Sequence, residues 1–94
     1  MTHAIRFHET GGPEVLRWEE VAVPAPGAGE VHVRHTVVGV NFVDIYQRSG
    51  VGHRPALPSG LGSEAAGVVV ATGPGVSGLE PGDRVACCSG PLGA

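Results

Sequence analysis

The chain has 94 residues, a net charge of −3 and 41% hydrophobic residues, which suits one domain that buries about 60–70% of its unfolded surface. That charge balance gives no basic footprint for nucleic acid, and no apolar run reaches the length of a membrane-spanning helix. The N-terminal stretch MTHAIRFHET lacks the apolar core of a signal peptide, so a cytoplasmic protein is the expectation.

Residues 4–7 read as a short strand, followed by the turn-rich Glu9-Thr10-Gly11-Gly12-Pro13. Residues 15–23 form a second strand-like segment, in which Trp18 is the largest apolar anchor available. With only four aromatic residues (Phe7, Trp18, Phe42 and Tyr46) the core must rest on Val, Leu, Ile and Ala. The 16 glycines and 8 prolines favour many turns over long helices. PAPGAG at residues 24–29 is a connector, rigid and then flexible.

Residues 30–40 (EVHVRHTVVGV) predict a long strand. Alternation puts Val31, Val33, His35 and Val37 on one face and His32, Arg34 and Thr36 on the other. His32 and His35 therefore point to opposite sides and do not chelate one ion. His3, His8 and His53 are scattered in polar surroundings, where solvated or capping roles are expected.

Residues 41–49 (NFVDIYQRS) carry a helical pattern. Phe42, Ile45 and Tyr46 share one face, Asp44 and Arg48 form an i, i+4 pair, and Gly50 is the stop. Asn41 stands where the strand passes into the helix. There it either caps the helix, with Asp44 complementing the dipole, or reaches a ligand beside the free N-terminal amides.

Residues 51–62 are expected to be an irregular loop with two prolines. The apolar run at residues 64–72 and the segment 84–88 complete the predicted strands. Glu64 opens the first of these, and a carboxylate at the mouth of a buried strand must be exposed, paired or functional. Cys87 and Cys88 are adjacent, a spacing that suits neither C-x-x-C redox chemistry nor a paired zinc knuckle. Two buried or half-buried thiols at a strand end are the expectation.

Gly73, Gly75 and Gly78 lie at G-x-G-x-x-G spacing behind a strand, the pattern of a dinucleotide-binding turn. The context opposes that role. Pro74 removes an amide donor, and Pro81-Gly82-Asp83 signals a turn where the phosphate-binding helix would run. A solvent-exposed turn between two strands, with no helix starting at Gly78, is the reading. Taken together, the elements predict a mainly β fold, a small antiparallel barrel or sandwich with one short helix at its side. No Ser-His-Asp constellation or metal cluster is visible.

The stretches FHETGGPEVL, VGVNFVDIYQRSG, LPSGLGSEAAGVV and GDRV, in this order, resemble the N-terminal part of NADPH:quinone oxidoreductases. Those form the zeta-crystallin-like branch of the medium-chain dehydrogenase/reductase superfamily, and the block N-F-x-D-x-Y-x-R-S-G is its most specific part. The resemblance implies a GroES-like, partly open β-barrel across residues 1–94, with the family's Rossmann nucleotide-binding domain absent from this chain. It implies hydride transfer from NADPH to quinones or related conjugated carbonyls. It also implies a cofactor-contacting segment of Asn41, Phe42, Val43, Asp44, Ile45 and Tyr46, with Tyr46 as the best side-chain proton source and Arg48 and Ser63 at the substrate cleft.

In the zinc-dependent alcohol dehydrogenases of the superfamily a Cys takes the position of Asn41 and a His that of Ser63. No metal ligand is therefore expected here, and a catalytic zinc needs three. The parent enzyme is expected to take a quinone-like small molecule, to have neither nucleic acid nor membrane as a partner, and to form a homodimer. The chain alone is expected to be inactive, as a fragment. The alternative is a free-standing GroES-like module with a structural or interaction role.

Overall fold

A computed structural model describes residues 2–52 and 55–88. His53 and the closing GPLGA lie outside the described residues. The elements in chain order are β1 (Thr2–Phe7), a 3-10 turn (Pro13–Val15), β2 (Arg17–Val21), β3 (Val31–Gly39), α1 (Phe42–Ser49), β4 (Ser59–Gly60), β5 (Glu64–Thr72) and β6 (Arg84–Cys87). They form two three-stranded sheets, ordered β2-β1-β4 and β3-β5-β6, and every pairing is antiparallel. The sheets do not close on one another, as expected of a partly open, mainly β barrel with one helix.

β5 is central to the second sheet because its sequence, EAAGVVVAT, is small or β-branched along its length. Ala65, Gly67 and Val69 are buried at every second position, as a half-buried strand requires. In the first sheet β1 is central and supplies Ala4 and Phe7 to the core. Val15, Val21, Ala65 and Val69 complete the buried apolar set, and Phe7 and Val69 are its largest fully enclosed side chains.

Several local expectations are corrected. Trp18 is no anchor: it is 69% exposed, opposite Ile5 in the ladder, and its ring stacks on His3 at a centroid separation of 5.4 Å. Phe7, from the neighbouring strand, takes the enclosed place. The second strand starts later than residue 15, because Pro13 opens a 3-10 turn that carries Val15 into the core. His8 is not simply solvated, since its Nε2 meets the Glu19 carboxylate at 2.8 Å.

In β3 the register with β5 slips between His32 and Val33 and again between His35 and Val37. Such bulges break simple alternation, and Val37 and Val38 are both exposed. Residues 51–62 are not wholly irregular, because Ser59 and Gly60 pair with Phe7 and Arg6 as β4. The Leu57–Pro58 bond before it is cis.

The glycine-rich turn is as expected. Pro74 and Gly75 are exposed between β5 and β6, and no helix begins at Gly78.

Candidate functional site

The β3–β5 ladder ends at the pair Gly39 and Glu64. Asn41 follows β3 by two residues and Ser63 immediately precedes β5, so both leave the sheet at the same end. Ala65 pairs with Cys87, which brings the end of β6 to that edge as well. An open hollow of about 510 Å³ lies there, walled by Val37, Gly39, Glu64, Ala65, Cys87 and Cys88 among others. Both cysteines are free and exposed, not buried thiols. Their place follows from the pairing of β6 with β5, a long-range register that the adjacent pair of letters does not encode. Glu64 is exposed, which resolves one of its three sequence options.

Asn41 occupies the N-cap of α1 with extended backbone, φ −126° and ψ 161°. Its N–H donates to Asp44 Oδ2 at 2.9 Å, and the Asp44 N–H donates back to the Asn41 carbonyl at 3.0 Å. Asp44 is only 4% exposed, the one buried charged residue among those described. Its second oxygen, Oδ1, is buried without a hydrogen-bond partner among the described residues. The carboxylate thus holds the strand-to-helix corner in shape. Gly50 ends the helix in the left-handed region, φ 83°.

The predicted pair of Asp44 and Arg48 does not form. Asp44 turns back to Asn41, while Arg48 Nε donates to the Gly11 carbonyl at 3.2 Å and the Gly11 N–H donates to the Arg48 carbonyl at 2.9 Å. Arg48 therefore ties the last turn of α1 to the β1–β2 connection, and its guanidinium is not brought to the Asn41 corner.

The helix has an uncommon polarity. Asp44 is buried and Gln47, Arg48 and Ser49 are half-buried, whereas Phe42, Val43, Ile45 and Tyr46 are exposed, Phe42 by 76%. The apolar face predicted from spacing is present, but it points outward. Val40 and Val51 extend the exposed apolar surface at either end. Exposed apolar surface of this kind marks a place where a ligand or another part of a protein packs. The ledge offers ring-sized apolar contacts at Phe42, Val43 and Ile45, and exposed polar residues at Asn41 and Tyr46. The glycine-rich turn, lacking a helix behind it, does not offer the phosphate site.

Among the described residues no group of three or more His, Cys, Asp and Glu side chains is placed to hold a metal ion. No helix among them is long and apolar enough to cross a membrane.

Comparison with known proteins matches residues 27–93 to the alcohol dehydrogenase GroES-like domain. The chain is 51% identical, over all of its length, to a quinone oxidoreductase of Pseudomonas aeruginosa, of which it covers 29%. It is 46% identical to a 2-haloacrylate reductase of a Burkholderia species, again covering all of this chain and 29% of the relative. The crystal structure of Escherichia coli quinone oxidoreductase complexed with NADPH superposes with a TM-score of 0.92 at 45% identity, covering 97% of this chain and 28% of that one. The chain thus spans less than a third of the length of these relatives. With the two open antiparallel sheets, the single helix and the match over residues 27–93, the chain belongs to the alcohol dehydrogenase GroES-like domain family.

Proposed function

We propose that this chain is the barrel portion of a zinc-independent oxidoreductase that transfers hydride from NADPH to quinones or related conjugated carbonyls. The observation that carries the reading is the 51% identity to a quinone oxidoreductase across the whole chain, which spans the outward apolar ledge of α1. NADPH, when bound, supplies the hydride.

In this reading Phe42, Val43 and Ile45 give the nicotinamide end a dry, flat surface and keep water off one side of it. Asn41 orients that end through its amide, and the buried Asp44 keeps the corner in place, acting as a positioning residue. Rate then comes chiefly from holding the two reactants in line. Reduction of a quinone also consumes a proton, and the Tyr46 hydroxyl, on the exposed side of α1, is the side chain that delivers it, replenished from water. Ser63, at the same sheet end as Asn41, borders the substrate space. Arg48 serves the cleft indirectly, by anchoring α1 to the β1–β2 connection. Zinc independence is supported by the identities of Asn41 and Ser63, neither of which is a usual zinc ligand. A cytoplasmic location and a homodimeric parent belong to the same reading.

A chimera tests it. Residues 1–94 are joined to the remainder of the Escherichia coli relative and assayed for NADPH oxidation with 1,4-benzoquinone. Quinone-dependent oxidation that survives dialysis against a chelator is expected, while the 94-residue chain alone gives no rate above the uncatalysed one. An activity restored only by added zinc, or directed only at alcohols, overturns the reading.

A further inference from the structure

We propose that the hollow at the Gly39–Glu64 end of the second sheet is a covalent modification site, at which Cys87 or Cys88 adds to a conjugated carbonyl of the quinone class. Two features of the surface meet there. Both thiols are free and exposed, and both wall one hollow whose other sides include Val37, Gly39, Ala65 and the exposed carboxylate of Glu64. Ala65, Ala66 and Ala86 line the hollow with small apolar side chains, and in this proposal a flat ring entering it meets a thiol. Sequence composition sharpens the point: all six basic residues are arginine, so no lysine amine competes for a soft electrophile. The choice of electrophile rests on the quinone reading, but the 2-haloacrylate reductase similarity points to the same chemistry, since a haloacrylate is also an activated alkene.

The addition balances without a further reagent. The S–H bond breaks and sulfur bonds to the ring carbon β to a carbonyl. The alkene electron pair moves onto the carbonyl oxygen, which takes up the thiol proton through water. Tautomerisation of the ring then moves the hydrogen from the substituted carbon to the second oxygen. The product is a thioether-substituted hydroquinone: a sulfur lone pair makes the new S–C bond, and the ring keeps the electron pair of the C–H bond whose proton moved to oxygen.

Exposed thiols alone do not make a site, so the test asks for selectivity. The 94-residue chain is treated anaerobically with menadione or with iodoacetamide, and rate constants are read from intact mass. The menadione-to-iodoacetamide ratio is expected to exceed that of reduced glutathione by about tenfold, because the hollow gathers the apolar ring beside the sulfur. Ala86→Leu and Ala66→Leu, substitutions at exposed positions that fill the hollow, are expected to return the ratio to that of glutathione while leaving the iodoacetamide rate within about twofold. The Cys87→Ser/Cys88→Ser chain is expected to take up no menadione. A ratio equal to that of glutathione in the unmodified chain overturns the proposal, and so does an adduct on the double variant. An inactive chimera alongside a selective adduct would remove the reductase reading and leave this site standing.

Discussion

Glu64 lies opposite Gly39 in the β3–β5 ladder, and its carboxylate occupies the space that a Cβ on Gly39 would fill. The contrast with Gly67, on the same strand pair, is instructive. A Cβ there would run into the Arg34 carbonyl and the backbone of His35. A flexible carboxylate swings away; a strand backbone does not. Gly39→Ala is therefore expected to cost less than about 1 kcal/mol, the clash being offset by reduced freedom of the unfolded chain. Gly67→Ala is expected to cost about 2–3 kcal/mol through overpacking. Urea denaturation of the two variants checks the order.

Asp44 is expected to matter through its acceptor rather than its charge. Asp44→Ala removes the partner of the Asn41 N–H and should lower stability by about 1–2 kcal/mol. Asp44→Asn keeps an oxygen for that N–H and removes the charge from a buried oxygen that has no donor among the described residues, so its cost should be under half of that. Thermal unfolding of both variants, followed by circular dichroism at the helix band, distinguishes a capping role from a charge role.

Gly75 has φ +81° and open space around it. Gly75→Ala is expected to cost about 1 kcal/mol through backbone conformation alone. In the chimera it should leave NADPH affinity within about twofold, whereas Asn41→Ala or Tyr46→Phe should change affinity or turnover by about tenfold or more. Fluorescence titration with NADPH and steady-state kinetics read the two effects separately. Loss of NADPH binding on Gly75→Ala, with Asn41→Ala silent, would reverse the assignment.

Phe7 and Trp18 exchange the importance that size alone assigns them. Phe7→Ala is expected to cost about 3–5 kcal/mol, enough to unfold the isolated chain. Trp18→Ala should cost under about 1 kcal/mol, because its main contact is a surface stack on His3. Near-ultraviolet and far-ultraviolet spectra before and after each change make the comparison.

What the sequence makes legible follows from local physics. The run AAGVVVAT can do little except lie in the middle of a sheet. Asn41, Asp44 and Gly50 mark a helix by its ends, and Pro74 removes the dinucleotide reading of the glycines. What it hides is set by distant neighbours. Periodicity puts Phe42, Ile45 and Tyr46 on one face but does not say which way that face looks. The bulges of β3 arise from pairing with β5, so alternation along residues 30–40 misplaces Val37. The exposure of Cys87 and Cys88 likewise depends on which strand lies beside β6. For the candidate site, the corner at Asn41 is readable locally and Ser63 through the resemblance, whereas the exposed Cys87 and Cys88 at the same sheet end are not.

The connector that leads from β2 to β3 is fastened to the glycine-rich turn. Gly29 donates its N–H to the Pro74 carbonyl at 3.0 Å, and Gly73 donates to the Glu30 carbonyl at 2.8 Å. Within the connector, Gly27 donates to Glu30 Oε1 at 2.8 Å. The crossing between the sheets is thus moored to the β5–β6 turn at Gly29 and Glu30. Mechanically the turn is a clasp, holding the end of the connector against the start of the β5–β6 turn. A pull applied to β2 would load the connector against the β5–β6 turn before it reached β3.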